Sequence, residues 1–191
     1  MAEPLEDAVE SEDKRVALVI AILALFLALA EAGAKNAQHR STEQNIESSD
    51  LFNFYQAKKI RSTIAETAAQ TLEAERVAIT DPKAQEAMEK QIVDWKTMAA
   101  RFEKDAKNPQ DSLDAIQERA RGAAEGRELS NHKLEHFEYA SGALQIAIVL
   151  ASAAIITGMT VLAWIAVGLG GLGAILMALG YLAPTALAFL G

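Results

Sequence analysis

The sequence predicts an all-α integral membrane protein with three transmembrane helices and a long helical, coiled-coil-like insert outside the membrane between spans 1 and 2. The first observation behind this prediction is that charge is segregated: Val16 to Ala30 and Tyr139 to Gly191 contain no Asp, Glu, Lys, Arg or His. Uncharged apolar runs of about 20 residues match a hydrocarbon core that is roughly 30 Å thick. The second observation is that the segment between these runs is charged and rich in helix-forming residues. Together they favour helical spans joined through a polar helical insert.

Composition argues against several classes of function. The chain of 191 residues carries a net charge of −8, whereas phosphate binding needs clustered basic residues, so we expect no nucleic-acid partner. Cysteine is absent, which removes disulfides, thiolate metal ligands and thiol nucleophiles. The polar part shows no Ser/His/Asp grouping, phosphate-binding loop or paired-carboxylate cleft. We therefore expect no enzymatic activity, no catalytic residue and no cofactor.

The N-terminal region combines an acidic segment with the first apolar run. Residues 1–15 are predicted to form an acidic, disordered tail, and residues 16–34 the first transmembrane helix. A cleaved signal peptide is the alternative, with Lys14 and Arg15 as its basic region and Ala32-Gly33-Ala34 as its cleavage site. Six acidic residues precede Lys14, which is untypical of a signal peptide and favours an uncleaved span.

The polar insert, residues 35–138, is predicted to fold as a helical stalk domain. Its first helix extends to about Ile79, because neither Gly nor Pro interrupts the chain before that point. Apolar or small residues recur mostly at three- and four-residue steps, which predicts one stripe that faces a partner. The members of this stripe are Leu51, Phe54, Tyr55, Ile60, Ile64, Ala68, Leu72 and Ile79.

Two prolines divide the rest of the stalk. Pro82 disfavours helix at Asp81 and suits the first turn of a second helix, which is expected to run to about Lys107. Asn108-Pro109 separates it from a third helix that begins near Leu113. Because no proline follows before the apolar block, this third helix is expected to continue into the membrane as the second span.

The C-terminal apolar block is too long for one span and sufficient for two. These spans are predicted at residues 139–158 and 161–182, followed by a C-terminal tail at residues 183–191. The favoured turn is Gly158-Met159-Thr160, and the alternative, within Gly168 to Gly171, would leave a short last span. Apart from Glu31 at one edge, the spans hold no ionisable residue, which argues against an ion-coupled transporter.

Small residues within these spans predict close helix packing. The stretch GLGGLG, Gly168 to Gly173, matches the dinucleotide pattern G-x-G-x-x-G, but that motif needs a preceding strand and an acidic residue roughly 20 positions later. Neither is predicted here, whereas small residues at four-residue steps let helices approach within the hairpin or against another subunit. The residues concerned are Ala143, Ala147 and Ala151 in the second span and Ala166, Gly170, Ala174 and Ala178 in the third.

The stretch NHKLEHFEYA contains the pattern H-x-x-E-H, formed by His132, Glu135 and His136. On a helix this spacing places both imidazoles on one face, as at the start of some zinc peptidase sites. Such a site needs a third ligand, usually a downstream carboxylate, and no carboxylate follows Glu138. We therefore expect no metal site, and read the segment as a helix entering the membrane interface, where His and aromatic side chains are common.

One short segment indicates a family. Phe52, Asn53, Phe54, Tyr55, Gln56, Ala57 and Lys58 form the core of LFNFYQAKKIR, Leu51 to Arg61. Together with the layout around it, from about Lys14 to Leu182, this segment resembles the bacterial membrane proteins of the domain of unknown function 4337, with Phe52 where Trp is more typical. The resemblance implies a span, a long helix, further helices and a terminal two-span hairpin, and it implies no activity. Contact with a partner is expected to involve Phe52, Phe54, Tyr55, Gln56 and Lys58.

The expected function is that of a non-enzymatic, membrane-anchored helical scaffold or accessory subunit. Its expected partners are the lipid bilayer and either further copies of itself or another membrane protein, because the stalk alone buries little apolar surface. The alternatives are a homo-oligomeric pore or sensor built from the C-terminal hairpin, and a metallopeptidase built on the histidine motif. The expected location is the bacterial inner membrane, with a multi-pass topology. Basic residues on the two sides of the first span nearly balance, and we favour a periplasmic or external stalk.

Overall fold

The computed structural model describes residues 3–104 and 107–186, and within these residues the protein is helical and contains no strand. This confirms the all-α fold class. Three of the four α-helices, α1, α3 and α4, are long and apolar enough to cross a membrane. Residues 1–2 and 187–191 of the two predicted tails lie outside the described residues. The helices are α1 (Glu3–Arg76), α2 (Pro82–Glu103), α3 (Leu113–Thr157) and α4 (Thr160–Leu182), with a 3-10 turn at Pro109–Asp111 between α2 and α3.

The breaks between helices follow from local backbone chemistry. Before α2, the Asp81 carboxylate accepts a hydrogen bond from the backbone N–H of Lys83 at 3.1 Å, which caps the helix, and Pro82 occupies its first position. Between α3 and α4, Gly158 has a φ of 67°, a left-handed conformation that glycine adopts without the steric cost of a Cβ atom. The turn therefore lies at the residues that the sequence favours for it. The helix α2 ends at Glu103, before the expected end near Lys107, and the backbone of Lys104 is extended.

The chain divides into two compact units. Unit 1 comprises Met1–Thr42 and Gly126–Gly191, and unit 2 comprises Glu43–Glu125. Helices α1 and α3 each contribute residues to both units, so unit 1 consists of two separate stretches of chain, whereas unit 2 is continuous. The limits of unit 2 lie inside the predicted stalk of residues 35–138.

Unit 1 is held together by small residues. Its buried cluster consists mostly of alanines, which allow the helix backbones to approach closely, as is typical of helices in membranes. A Cβ atom on Gly173 would lie 2.8 Å from Leu144 Cγ, and one on Gly33 would lie 2.8 Å from Phe137 Cε1. Such distances leave no room for a side chain. The cluster contains Leu23, Ala30, Ala140, Leu144, Ala147, Ala151 and Ala166.

Unit 2 is a set of helices with a thin core. In one cluster Leu51, Ile116 and Ala120 pack together, with Tyr55 against them. Along α1 one series of buried or partly buried positions alternates between steps of three and four residues, the 3.5-residue period that keeps a stripe on one face of packed helices. The series is Leu51, Tyr55, Lys58, Ser62, Ala65, Ala69 and Leu72, and Ala68 and Glu73 beside it are also partly buried.

The predicted apolar stripe of α1 therefore divides in two. Leu51 is buried and Tyr55 and Leu72 are partly buried, whereas Ile60 and Ile64 are 59% and 60% exposed. The physical reason is that a strict four-residue step drifts around the helix by about 40°, whereas alternating three- and four-residue steps stay on one face. Two large aliphatic side chains are thus left outside the core of unit 2.

Candidate functional site

Besides Leu51, the family-like segment of α1 contributes two residues to the core of unit 2. Lys58 is buried, its ammonium group donates a hydrogen bond to the backbone carbonyl of Asp111, and it lies 5.6 Å from the centroid of the Phe54 ring. Tyr55 packs against the cluster around Ile116. The hydrogen bond satisfies a carbonyl of the 3-10 turn, and the ring face stabilises the ammonium charge. Both residues therefore hold α1 against the chain that leads into α3.

The other residues of this segment face outwards. Phe52 and Phe54 are each about two-fifths exposed, and Gln56 is exposed. Phe52 and Gln56 are four positions apart and share one side of α1, while Phe54 lies beside Lys58 on another. Of the five residues expected to contact a partner, the structure thus leaves Phe52, Phe54 and Gln56 accessible.

Sequence reasoning missed a groove between α1 and α2. It has a volume of about 700 Å³ and lies entirely within unit 2. Its apolar lining includes Ala68 and Leu72 from α1 and Trp95 and Met98 from α2. Ile64 lies one helical turn before Ala68 on the same side of α1, so its exposed side chain extends the apolar surface. The residues lining the groove are Thr67, Ala68, Thr71, Leu72, Glu75, Gln91, Asp94, Trp95 and Met98.

The two sides of the α1–α2 pair differ in polarity. Away from the groove, Lys59 pairs with Glu103 at 3.0 Å and Lys96 with Glu73 at 2.6 Å. The hydrogen bond from Lys59 to Glu103, together with the attraction of that carboxylate, raises the pKa of the Lys59 ammonium above its usual value. Solvent-exposed pairs of this kind add little stability. One side is therefore charged and solvated, and the groove side is apolar with acidic and polar residues at its edges.

The histidine motif lies in unit 1, on α3. His136 is fully buried, and its Nδ1 lies 2.8 Å from the backbone carbonyl of His132. This places the proton on Nδ1 and leaves the buried Nε2 without a hydrogen-bond partner among the described residues. A carboxylate oxygen of Glu135 lies 3.7 Å from His132 Nδ1. Among the side chains of residues 14–104 and 107–186, no three His, Asp or Glu are grouped so that they could hold a metal ion.

The same segment packs against the end of α4. A Cβ atom on Gly180 would lie 3.0 Å from His136 Cβ. The rings of Phe137 and Tyr181 meet edge to face, with centroids 4.9 Å apart, an arrangement that stabilises aromatic pairs. The contacts of His136 and Phe137 are therefore those of helix packing.

The small residues predicted to pack in the membrane occupy different environments. Ala147, Ala151 and Ala166 are fully buried, and Gly170 is buried against Leu23. Ala143 and Ala174 are partly buried, and Ala178 is exposed. On α4 the buried positions are Ala166, Gly170, Gly173 and Gly180, so the stripe follows the 3.5-residue period and leaves the four-residue steps after Gly170. The GLGGLG stretch lies inside α4 and provides close contacts between helices.

These observations define a class: an all-helical protein with three helices long and apolar enough to span a membrane and a separate, more polar helical unit. The chain belongs to the family described as a domain of unknown function (DUF4337), which matches residues 12–183. The match confirms the resemblance found in the segment around Tyr55. No match was found among curated proteins or among solved structures. No activity is assigned to this family.

Proposed function

We propose that this protein is a membrane-anchored helical scaffold or accessory subunit without enzymatic activity, and that unit 2 binds a helix of a partner protein in the α1–α2 groove. The observation that carries the proposal is an apolar surface that is only partly covered. Leu72, Trp95 and Met98 line the groove, with Leu72 and Trp95 partly buried and Met98 44% exposed. Ile60 and Ile64, on the preceding turns of α1, are 59% and 60% exposed. Burying one such side chain fully is worth about 1.5–3 kcal/mol. Exposing several together is costly unless a partner covers them.

The shape and chemistry of the groove favour a helix as the occupant. The groove is open and lies between two helices, with apolar residues from both, and an amphipathic helix can lay its apolar face into a groove of this kind. Trp and Met are enriched where proteins meet, because they supply large contact areas and adapt to irregular surfaces. Glu75 and Asp94 also line the groove, so the complementary helix carries Lys or Arg beside its apolar stripe.

The membrane anchor is proposed to consist of three spans in the inner membrane of a bacterium. Large apolar side chains on the outer faces of unit 1 support this, because a water-exposed surface of this composition would be unstable in solution. Examples on the three helices are Leu18, Leu25, Leu29, Ile146, Val149, Val161, Ile165, Leu172 and Ile175. Three spans place the chain ends on opposite sides, and we place unit 2 on the periplasmic side.

The topology can be tested with one introduced cysteine, since the natural chain has none. Gln110 is exposed in the turn before α3, so Gln110→Cys should react with a membrane-impermeant maleimide in intact spheroplasts. The same substitution in lysed membranes is the positive control. Labelling only after lysis would place unit 2 in the cytoplasm and contradict the proposed orientation.

Matched substitutions test the partner groove. Ile64→Glu places a charge at the end of the apolar surface, and we expect it to reduce the co-purified partner at least tenfold, because a buried unpaired charge is costly. The control is Val93→Glu: Val93 is 55% exposed, lies on α2 and does not line the groove. The measurement is the amount of partner retained after gentle detergent extraction, normalised to this chain. Equal retention in both variants would contradict the proposal.

A further inference from the structure

A second apolar pocket lies within unit 1, at the opposite end of its helices from the histidine motif. It has a volume of about 320 Å³, at the lower end of the roughly 300–1,000 Å³ typical of ligand pockets. It is formed where the first apolar turns of α1 meet the beginning of α4 and the last turns of α3. The lining residues are Arg15, Val16, Val19, Ala151, Thr160, Ala163, Trp164 and Val167.

The pocket combines one cation with apolar walls. Arg15 is its single charged lining residue, and Arg15 is exposed to solvent. A guanidinium presents a planar set of donors that matches the oxygens of a phosphate. Val16, Val19, Ala163 and Val167 supply walls that suit a hydrocarbon chain. A ligand that complements both parts carries a phosphate joined to an acyl chain.

The position of the pocket agrees with this chemistry. Arg15 directly precedes the first uncharged apolar run, where a basic side chain reaches the headgroup level of a bilayer. Trp164 is 75% exposed, and an amphipathic Trp ring is typical of the same interface. Basic pockets between spanning helices are recognised sites for phospholipid headgroups. The walls of the pocket continue onto the apolar outer faces of α1 and α4, along which an acyl chain would lie.

We propose that this pocket holds one glycerophospholipid of the bilayer, with its phosphate on Arg15 and one acyl chain along Val16, Val19 and Val167. This inference rests on the proposed insertion of unit 1 into a membrane. The occupant is a lipid because a protein helix, about 10 Å wide, is too large for a pocket of this volume. The lipid would fix the beginning of α4 against α1.

The test uses the full-length chain, purified in detergent, stripped of lipid and titrated with phosphatidylglycerol. Native mass spectrometry should show one lipid retained per chain. Diacylglycerol, which has the same acyl chains without the phosphate, should not be retained. Phosphatidylethanolamine, titrated in parallel, shows whether the phosphate alone suffices or a net negative headgroup is required. Retention of diacylglycerol as strongly as phosphatidylglycerol would overturn the phosphate contact.

Two variants locate the site. Arg15→Gln should weaken phosphatidylglycerol binding roughly tenfold, the loss expected for one charge-assisted contact. Lys35→Gln makes the same change in charge outside the pocket and is the control. Ala163→Phe fills the pocket while keeping Arg15, and should also remove the lipid. If Arg15→Gln and Lys35→Gln bind equally, the proposed site is wrong, whether or not Ala163→Phe folds.

The outcome can be separated from failure of membrane insertion. Wild-type protein that resists alkaline carbonate extraction from membranes supports insertion independently of lipid retention. Protein recovered in the carbonate-soluble fraction would overturn the proposed anchor. Protein that stays in the membrane fraction, but retains no phosphatidylglycerol after purification, would overturn the lipid site alone.

Discussion

Lys58 and Lys59 show how neighbouring residues of one type can have opposite roles. Lys58 is buried, donates to the Asp111 carbonyl and lies against the Phe54 ring. Lys59 is solvent-exposed and pairs with Glu103. Loss of the Lys58 donor would leave the Asp111 carbonyl without this hydrogen bond, which costs free energy. The exposed pair of Lys59 and Glu103 can be replaced by contacts with water. Only Lys58 should therefore matter to folding.

This difference predicts the effect of two matched substitutions. Lys58→Met keeps an unbranched chain but removes the hydrogen bond, and we expect it to destabilise the helices of unit 2 by roughly 1–2 kcal/mol. Lys59→Met should leave stability nearly unchanged. Both can be followed as the loss of helical circular dichroism on heating the full-length protein in micelles. Equal melting temperatures for the two variants would show that the Lys58 contact is not structural.

The sequence predicts the residues of the family-like segment better than their environments. Nothing local distinguishes Lys58 from Lys59, and burial is decided by which side of α1 faces α2 and the turn before α3. Ser62, also buried, donates to the carbonyl of Ala99 at 3.4 Å, so polar residues in this core are satisfied by backbone groups. A polarity pattern alone assigns such residues to the surface.

At the scale of helices, the ends were predictable and the contact faces were less so. Pro82, Pro109 and Gly158 act through their own backbones, and the structure breaks the helices beside each of them. The faces depend on how helices wrap around each other. The stripe predicted on α1 places Ile60 and Ile64 inside, and the four-residue repeat predicted on α4 places Ala178 in a helix contact. All three are exposed, because the packed faces follow a 3.5-residue period instead.

Two glycines of α4 provide a direct test of its packing face. A side chain at Gly173 would collide with Leu144 and approach the Ala140 carbonyl at 3.1 Å, whereas among the described residues nothing lies within 4 Å of a Cβ at Gly171. Gly173→Leu should therefore force the helices apart at a cost of about 1–3 kcal/mol or more. Gly171→Leu should be tolerated, because leucine favours helix more than glycine does.

The readout for this pair is thermal unfolding of the purified protein in one detergent, with size-exclusion chromatography to detect loss of compactness. Both variants add the same apolar side chain to the same helix, so membrane insertion is matched. A similar decrease in melting temperature for both would mean that the Gly173 face is not the contact that holds unit 1 together.

For the whole molecule, charge segregation predicts the essential division into apolar and polar parts. The uncharged runs lie in the three helices that are long and apolar enough to span a membrane. The limits of the compact units were not predictable in the same way. Unit 1 includes residues up to Thr42 and from Gly126, since packed helices need not separate where the composition changes.

The groove between α1 and α2 could not be predicted from the sequence for a related reason. Its walls come from residues about 20–30 positions apart, such as Leu72 and Trp95, which meet only because the chain reverses at Pro82. The apolar stripe of α1 was visible in the sequence, but not that part of it would be exposed. A surface made by two helices is defined by their pairing, which local patterns do not specify.

The central claim, that this chain serves a partner protein, is tested most directly by the composition of its native complex. The chain is extracted gently from its own membranes, its complex is weighed by native mass spectrometry, and every component is identified. We expect the complex to contain a reproducible second protein, which is lost in Ile64→Glu and retained in Val93→Glu. A mass that is a whole-number multiple of the mass of this chain would contradict binding of a partner protein, and would instead favour the homo-oligomeric pore or sensor.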